Sequence, residues 1–189
     1  KNGSAPLYYL HKALLFDING DQESAINAYL KGIKEQNGII LRVAQLLGNL
    51  YERKGNIERA KALYTDFYKA NPNSPFARKA LKNISSSKIP KPIIKSAKEG
   101  AAESFFGIAT SLSQQNAQET ALIFSRMGLH IRRDFPVMQI LLGNLLQSNG
   151  QLQAANKVLL GINPSSPFSW PARLSAAENL DELEDHDIV

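Results

Sequence analysis

The chain contains the same five-residue sequence twice. Leu-Leu-Gly-Asn-Leu spans residues 46–50 and occurs again at residues 141–145. Each copy is followed by a closely similar hexapeptide, Asn-Pro-Asn-Ser-Pro-Phe at 71–76 and Asn-Pro-Ser-Ser-Pro-Phe at 163–168. Repetition at this spacing is typical of helical-repeat proteins, whose units bury their apolar faces against one another. The sequence therefore predicts an all-α solenoid.

The clearest unit surrounds the first copy. Apolar residues recur there at the spacing of one helix face, which predicts a helix from about residue 39 to residue 54. Gly55 ends that helix, because glycine adopts a left-handed conformation at little cost. A second helix is predicted from about residue 57 to residue 70, with Pro72 stopping it. Gly48 lies inside the first helix, which indicates that another helix approaches closely there.

This pattern resembles the tetratricopeptide repeat, a helix-turn-helix unit of about 34 residues. That family has a large-small pair, an aromatic residue, an alanine, a second aromatic residue and a proline at fixed places. Six residues of this chain occupy those places: Leu47, Gly48, Tyr51, Ala60, Tyr64 and Pro72. The resemblance implies a right-handed superhelix of paired α-helices.

Three further units are predicted from weaker matches. The first has its turn at Gly20, the third has Asn116 in place of the turn glycine, and the fourth turns at Gly150. Asparagine also tolerates the left-handed conformation. A fifth unit is represented by a first helix that starts at Ser166-Pro167. Its apolar residues at helical spacing are Trp170, Leu174, Ala177 and Leu180. The acidic run at 181–185 is expected to end this helix, inside a longer array.

Prolines and serines at residues 84–92 interrupt the array, because they cannot continue a helix. An extra short helix is expected just before them, at about 75–84. Numbering the repeats along the chain makes the clearest one repeat 2. The resulting division is residues 6–84 for repeats 1 and 2 with that helix, 85–96 for a protease-sensitive linker, 97–184 for repeats 3 and 4 and the first helix of a fifth repeat, and 185–189 for a tail. The two halves either stack through the extra helix or move as two modules.

Composition excludes several functions. There is no cysteine, so disulfides, thiolate metal sites and cysteine nucleophiles are absent. The three histidines, at 11, 130 and 186, lack ligand spacing, and no glycine-rich phosphate loop is present. The acidic cluster at 178–185 fits either a solvated helix end or a cation-binding group. We therefore expect neither an enzyme nor a cofactor. No apolar run reaches the roughly 20 residues of a membrane span.

The charge is divided between the two halves. Residues 1–95 carry 16 Lys and Arg against 7 Asp and Glu, whereas residues 96–189 carry 6 against 10. Basic residues from Arg78 to Lys98 fit either a soluble linker or a surface for an acidic protein, an anionic lipid or a nucleic acid. The aromatic residues expected of single-strand binding are missing, which makes nucleic acid an unlikely partner.

The whole chain also resembles a family of bacterial tetratricopeptide proteins of unassigned function. The resemblance is carried by Glu99-Gly100-Ala101-Ala102-Glu103, by the segment from Ser166 to Leu174 and by Ala177-Glu178-Asn179-Leu180. Members of that family look exported from the bacterial cytoplasm, which favours a periplasmic location. The resemblance brings no specific activity, partner or pathway.

In a tetratricopeptide superhelix, five positions of each first helix face the concave surface. In repeat 2 these are Arg42, Gln45, Asn49, Glu52 and Arg53. In repeat 3 they are Glu103, Phe106, Thr110, Ser113 and Gln114. In repeat 4 they are Val137, Ile140, Asn144, Gln147 and Ser148. The residues predicted to bind a peptide are Arg42, Gln45, Asn49, Glu52, Arg53, Phe106, Asn144 and Gln147.

Asn49 and Asn144 are the sharpest candidates, because an asparagine amide both donates to and accepts from a peptide backbone. The alternative is that Leu-Gly-Asn is a common string of the repeat and merely solvates the helix. The function expected from the resemblance is a non-enzymatic scaffold that binds a protein or peptide partner. A self-assembly module and a repeat arm of a larger enzyme remain as alternatives.

Overall fold

The computed structural model describes residues 5–84 and 89–186. Within those ranges the regular secondary structure is entirely α-helical, which confirms the predicted fold class. The helices are α1 Ala5–Ile18, α2 Gln22–Gln36, α3 Leu41–Arg53, α4 Ile57–Ala70, α5 Pro75–Asn83, α6 Ala97–Gln114, α7 Gln118–Ile131, α8 Pro136–Ser148, α9 Leu152–Leu160 and α10 Ser169–His186.

The chain divides into two compact units, residues 1–100 and residues 101–189. In unit 1, α1 packs on α2, α3 on α4, and α5 on α4. In unit 2, α7 packs on α8, α8 on α9, and α9 on α10. Helix α6 begins in the last residues of unit 1 and continues into unit 2. Within each unit these helices pack on neighbours in sequence, as in a helical repeat.

The turns between paired helices have the conformations that the sequence predicts. Gly55 has φ 72° between α3 and α4. Asn116 has φ 60° between α6 and α7, which confirms that asparagine replaces the turn glycine there. At the start of the next helix in unit 1, the Asn56 side chain accepts a hydrogen bond from the Arg59 backbone N–H. That bond satisfies a donor left free at the helix end.

The glycines of the two repeated pentapeptides both lie where a second helix approaches closely. A Cβ atom at Gly48 would overlap the ring of Tyr64 on α4. A Cβ atom at Gly143 would lie 2.5 Å from Leu159 Cδ2 on α9. The repeated Leu-Leu-Gly-Asn-Leu sequence therefore serves the same packing role in both units, as the sequence predicts.

The structure corrects the prediction for the last helix. Helix α10 begins at Ser169, not at Ser166, whose Oγ accepts a hydrogen bond from the Phe168 N–H in a turn. It also continues through the acidic run to His186. The stripe expected to pack is exposed, with Trp170 at 77%. The opposite face, which includes Ala172 and Ala176, is buried instead.

Candidate functional site

The predicted concave face of α3 is covered rather than open. Arg42 is 7% exposed, and Gln45 and Asn49 are 8% exposed. Arg42 Nη1 donates to Gln45 Oε1 at 2.8 Å, one turn along the same helix. These polar side chains therefore lie in an enclosed environment, where an unpaired hydrogen-bonding group is costly.

A short segment of the same chain lies against α3, and we call residues 89–94 the self-segment. Its sequence is Ile-Pro-Lys-Pro-Ile-Ile. Asn49 Nδ2 donates to the backbone carbonyl of Lys91 at 3.0 Å. Ile94 is 5% exposed, and it packs with half-buried Ile93 in the apolar core of unit 1. Proline removes a backbone donor and disfavours helix in the residue before it, so this segment is extended between its two prolines.

The Asn49 side chain is fixed from its other end. Its Oδ1 accepts a hydrogen bond from Arg53 Nε at 3.1 Å. Arg53 Nη2 in turn donates to both carboxylate oxygens of Asp17 on α1, at 2.7 and 2.6 Å. Arg53 and Asp17 are only 12% and 11% exposed, so their pairing is shielded from water. The contacts from Asp17 through Arg53 to Asn49 therefore orient one side-chain N–H of Asn49 toward the self-segment.

Glu52 belongs to a different contact. It accepts a hydrogen bond from the Tyr64 hydroxyl at 2.6 Å, between α3 and α4. Burial raises the pKa of Tyr64 strongly, and the hydrogen bond to Glu52 and its negative charge raise it further. The phenol therefore keeps its proton and remains a donor. Glu52 holds the ring that lies over Gly48.

The equivalent asparagine of unit 2 has a different environment. Asn144 is exposed on α8, and its side chain has no hydrogen-bond partner within the described part of the chain. One turn further along, Gln147 Nε2 donates to Asn179 Oδ1 at 2.7 Å. Asn179, which is 3% exposed on α10, donates to Asn156 Oδ1 at 2.6 Å. These hydrogen bonds fix the Gln147 side chain one turn from Asn144, whose amide has no partner within the described residues.

The sequence assigns Asn179 no role beyond its place in the family resemblance. Its signal was its spacing, since it follows Ala172 and Ala176 by seven and three residues on one helix face. A face made of two alanines and an asparagine is less apolar than the opposite face with Trp170. The hydrophobic pattern therefore favoured the wrong face.

The predicted site positions of repeat 3, on α6, are occupied mainly by side chains that pack inside unit 2. Glu103 is 1% exposed and accepts from Arg132 Nη1 at 3.1 Å. The Arg132 guanidinium carbon lies 4.6 Å from the ring centre of Phe135. The half-buried ring of Phe106 packs against Phe135, with centroids 5.5 Å apart. Glu103 thus anchors the interior of unit 2, and Phe106 offers only part of its ring to a ligand.

The remaining candidates are not gathered into a site. No group of three metal-ligating side chains occurs in residues 5–84 and 89–183. On α5, Arg78, Lys79 and Lys82 are exposed around one shallow depression. Lys88 lies outside the described residues. None of the described helices is long and apolar enough to cross a membrane.

Residues 41–74, which span α3 and α4, match the family model for the tetratricopeptide repeat. A search of curated proteins found no match. Among solved structures, one titled "Crystal structure of MamA protein" is 17% identical with a TM-score of 0.41, over 84% of this chain and 90% of that chain.

A second similar structure is titled "Structure of Naa15/Naa10 bound to HypK-THB". Its matching chain is 17% identical with a TM-score of 0.37, over 94% of this chain. This chain spans only 29% of that chain's length.

Proposed function

We propose that this tetratricopeptide-repeat protein is a protein-binding scaffold, and that α8 of unit 2 is its open peptide-binding face. A partner protein supplies an extended segment there, and Asn144 pairs with that segment's backbone. On the α3 face of unit 1 the self-segment takes the corresponding place. Tetratricopeptide repeats are typically interaction modules without catalytic groups, which is consistent with the dispersed polar residues described above.

The observation that carries the proposal is the hydrogen bond from Asn49 to the Lys91 carbonyl. It places an asparagine of Leu-Leu-Gly-Asn-Leu against the backbone of an extended peptide that is distant in sequence. A backbone carbonyl is common to every peptide, so this contact selects extended conformation and not a particular side chain. Asn144 is the same residue in the second copy of the pentapeptide, so its side-chain amide can hold a partner's backbone in the same way.

Two features of unit 2 favour Asn144 as the open position. It is exposed and lacks a partner within the described residues, so no internal bond has to break when a ligand arrives. Gln147 is already held by Asn179, so its side chain loses little conformational freedom on binding. Ile140 lies one turn earlier on the same helix and is half-buried, so the exposed part of its side chain supplies an apolar border for the bound segment. Val137 is buried and takes no part in it.

The predicted site residues of α3 have roles within unit 1. Arg53 orients Asn49, and Arg42 and Gln45 pair with each other beneath the covered face. We infer that these residues hold the self-segment. They contact a partner only after that segment has moved away.

The proposal is tested by selecting ligands without assuming their identity. A phage-displayed peptide library is panned against the intact chain, and enriched peptides are synthesised and measured by calorimetry. Asn144→Ala should weaken binding by about 1–3 kcal/mol, or roughly 5- to 150-fold, because a buried backbone group of the peptide loses its partner. Glu119→Ala, an exposed change on α7, serves as the matched control and should bind like the unmodified chain.

Two results would contradict this function. One is failure of the library to yield any peptide that binds in solution. The other is a set of peptides that bind the unmodified chain and Asn144→Ala with equal affinity, since their site would then lie elsewhere.

A further inference from the structure

Helix α10 exposes an apolar stripe that we call the α10 outer face, formed by Trp170, Leu174, Ala177 and Leu180. Trp170 is 77% exposed, Leu174 is 54% exposed and Leu180 is 50% exposed. Single exposed apolar residues are ordinary, but a contiguous group on one face marks an interaction surface.

The internal repeat indicates what such a face is built to contact. Trp170, Leu174 and Ala177 have the same spacing on α10 as Ala44, Gly48 and Tyr51 have on α3. On α3 those positions are buried, with Ala44 at 0% and Tyr51 at 5% exposed, and Tyr64 of α4 lies over Gly48. On α8 the corresponding glycine lies under Leu159 of α9. The face is therefore one that packs against another α-helix.

Helix α5 of unit 1 shows the contrast. It follows α4 as α10 follows α9, and its outer face exposes Arg78 and Lys82. A helix face that meets water normally carries polar residues of this kind. The α10 outer face is apolar instead.

The charges along α10 are self-complementary. From Ser169 to Ala176 the charged residue is Arg173, and from Ala177 to Leu183 the charged residues are Glu178, Asp181 and Glu182. When two α10 helices run antiparallel and cross midway between Leu174 and Ala177, Arg173 of each copy lies opposite Glu178 of the other. Leu174 then lies opposite the small side chain of Ala177, which permits close approach.

We propose that the α10 outer face binds the same face of a second copy of this chain, as an antiparallel helix pair with two-fold symmetry. Such an interface is isologous, the commonest arrangement in homodimers. Antiparallel packing also brings the N-terminal dipole of each helix near the acidic C-terminal half of the other. A single helix pair buries less than the roughly 1,200 Å² of a stable interface, so this dimer is in exchange with monomer.

Sedimentation velocity across micromolar to millimolar concentrations at low salt tests this surface. The unmodified chain should show a monomer–dimer equilibrium. Arg173→Glu and Glu178→Arg should each weaken it by about tenfold or more, since each places like charges opposite each other twice. The double variant Arg173→Glu/Glu178→Arg should restore dimerisation. Lys82→Glu on α5 is the matched control, and Asn144→Ala separates this surface from the peptide face; neither should change the equilibrium.

All of these substitutions are at exposed positions, and circular dichroism checks that each variant is folded. A chain that remains monomeric at every concentration would overturn the proposal. So would a dimer that survives both single charge changes and Leu174→Glu, because its interface would then lie on another surface. Failure of the double variant to recover dimerisation would exclude the antiparallel arrangement.

Discussion

The two copies of Leu-Leu-Gly-Asn-Leu share one role and differ in another. In both units the glycine lies beneath a large side chain of the following helix, Tyr64 on α4 or Leu159 on α9. The asparagines differ, since Asn49 holds the Lys91 carbonyl whereas Asn144 is exposed. The repeat therefore determines how its two helices pack, but a segment distant in sequence determines whether the outer face is available.

Each unit also contains a shielded arginine–carboxylate pair. In unit 1, Arg53 and Asp17 are 12% and 11% exposed. In unit 2, the side chain of Arg132 is 17% exposed and that of Glu103 is 0% exposed. The unit 1 pair extends to the peptide-holding asparagine, whereas the unit 2 pair ends at an aromatic stack. The Arg53–Asp17 pair therefore stabilises unit 1 and also positions Asn49, whereas the Arg132–Glu103 pair only stabilises unit 2.

The largest expected effect on stability comes from breaking the Glu103–Arg132 ion pair of unit 2. Glu103→Ala should destabilise unit 2 by about 3–5 kcal/mol, because it leaves the Arg132 guanidinium enclosed without its carboxylate. Asp17→Ala should cost less, since Arg53 keeps its hydrogen bond to Asn49. Thermal unfolding followed by circular dichroism gives the order of the two effects. A larger loss of stability for Asp17→Ala than for Glu103→Ala would mean that the unit 1 ion pair contributes more to stability than the unit 2 pair, contrary to this expectation.

A smaller effect is expected at the shared glycines. Gly48→Leu should cost roughly 1–3 kcal/mol through overpacking. Gly143→Leu should cost less, because the flexible end of Leu159 moves more easily than the Tyr64 ring, which Glu52 holds in place. Urea unfolding of both variants measures this difference. Stability of Gly48→Leu equal to that of the unmodified chain would mean that α3 and α4 do not approach closely there.

Loss of the Asn49 amide should loosen the self-segment with little effect on global stability. Asn49→Ala removes the donor to the Lys91 carbonyl, a contact worth about 1 kcal/mol net. Hydrogen exchange of the Ile93, Ile94 and Lys95 amides should then accelerate, and trypsin should cleave after Lys95 faster. Asn144→Ala should leave both rates unchanged. Equal rates in the unmodified chain and in Asn49→Ala would show that the asparagine does not hold this segment.

The smallest effect is expected in the linker. Lys88→Glu should alter the affinity of a selected peptide only at low salt, because exposed charges are screened beyond about 10 Å at 0.1 M. Calorimetry at two salt concentrations tests this. Loss of binding that persists at high salt would place the ligand near the linker and away from α8.

Local signals explain how much the sequence could predict. The bounds of α4 and the left-handed turn at Asn116 follow from residues within one helix pair, and the structure has both. The covering of Asn49 depends on a residue 42 positions away, and nothing near Asn49 in sequence encodes it. The buried face of α10 was missed because its alanines and Asn179 are less apolar than the exposed face with Trp170.

The most direct test of the central comparison is proton exchange at the two side-chain amides, followed by NMR on the uniformly ¹⁵N-labelled chain. Asn49 and Asn144 are assigned by their alanine variants. We expect slow exchange of the Asn49 side-chain amide, which is enclosed and hydrogen-bonded, and fast exchange of the Asn144 side-chain amide. Addition of a selected peptide should slow Asn144 and leave Asn49 unchanged. Fast exchange at both amides in the free chain, or protection of Asn49 alone when the peptide binds, would contradict the account.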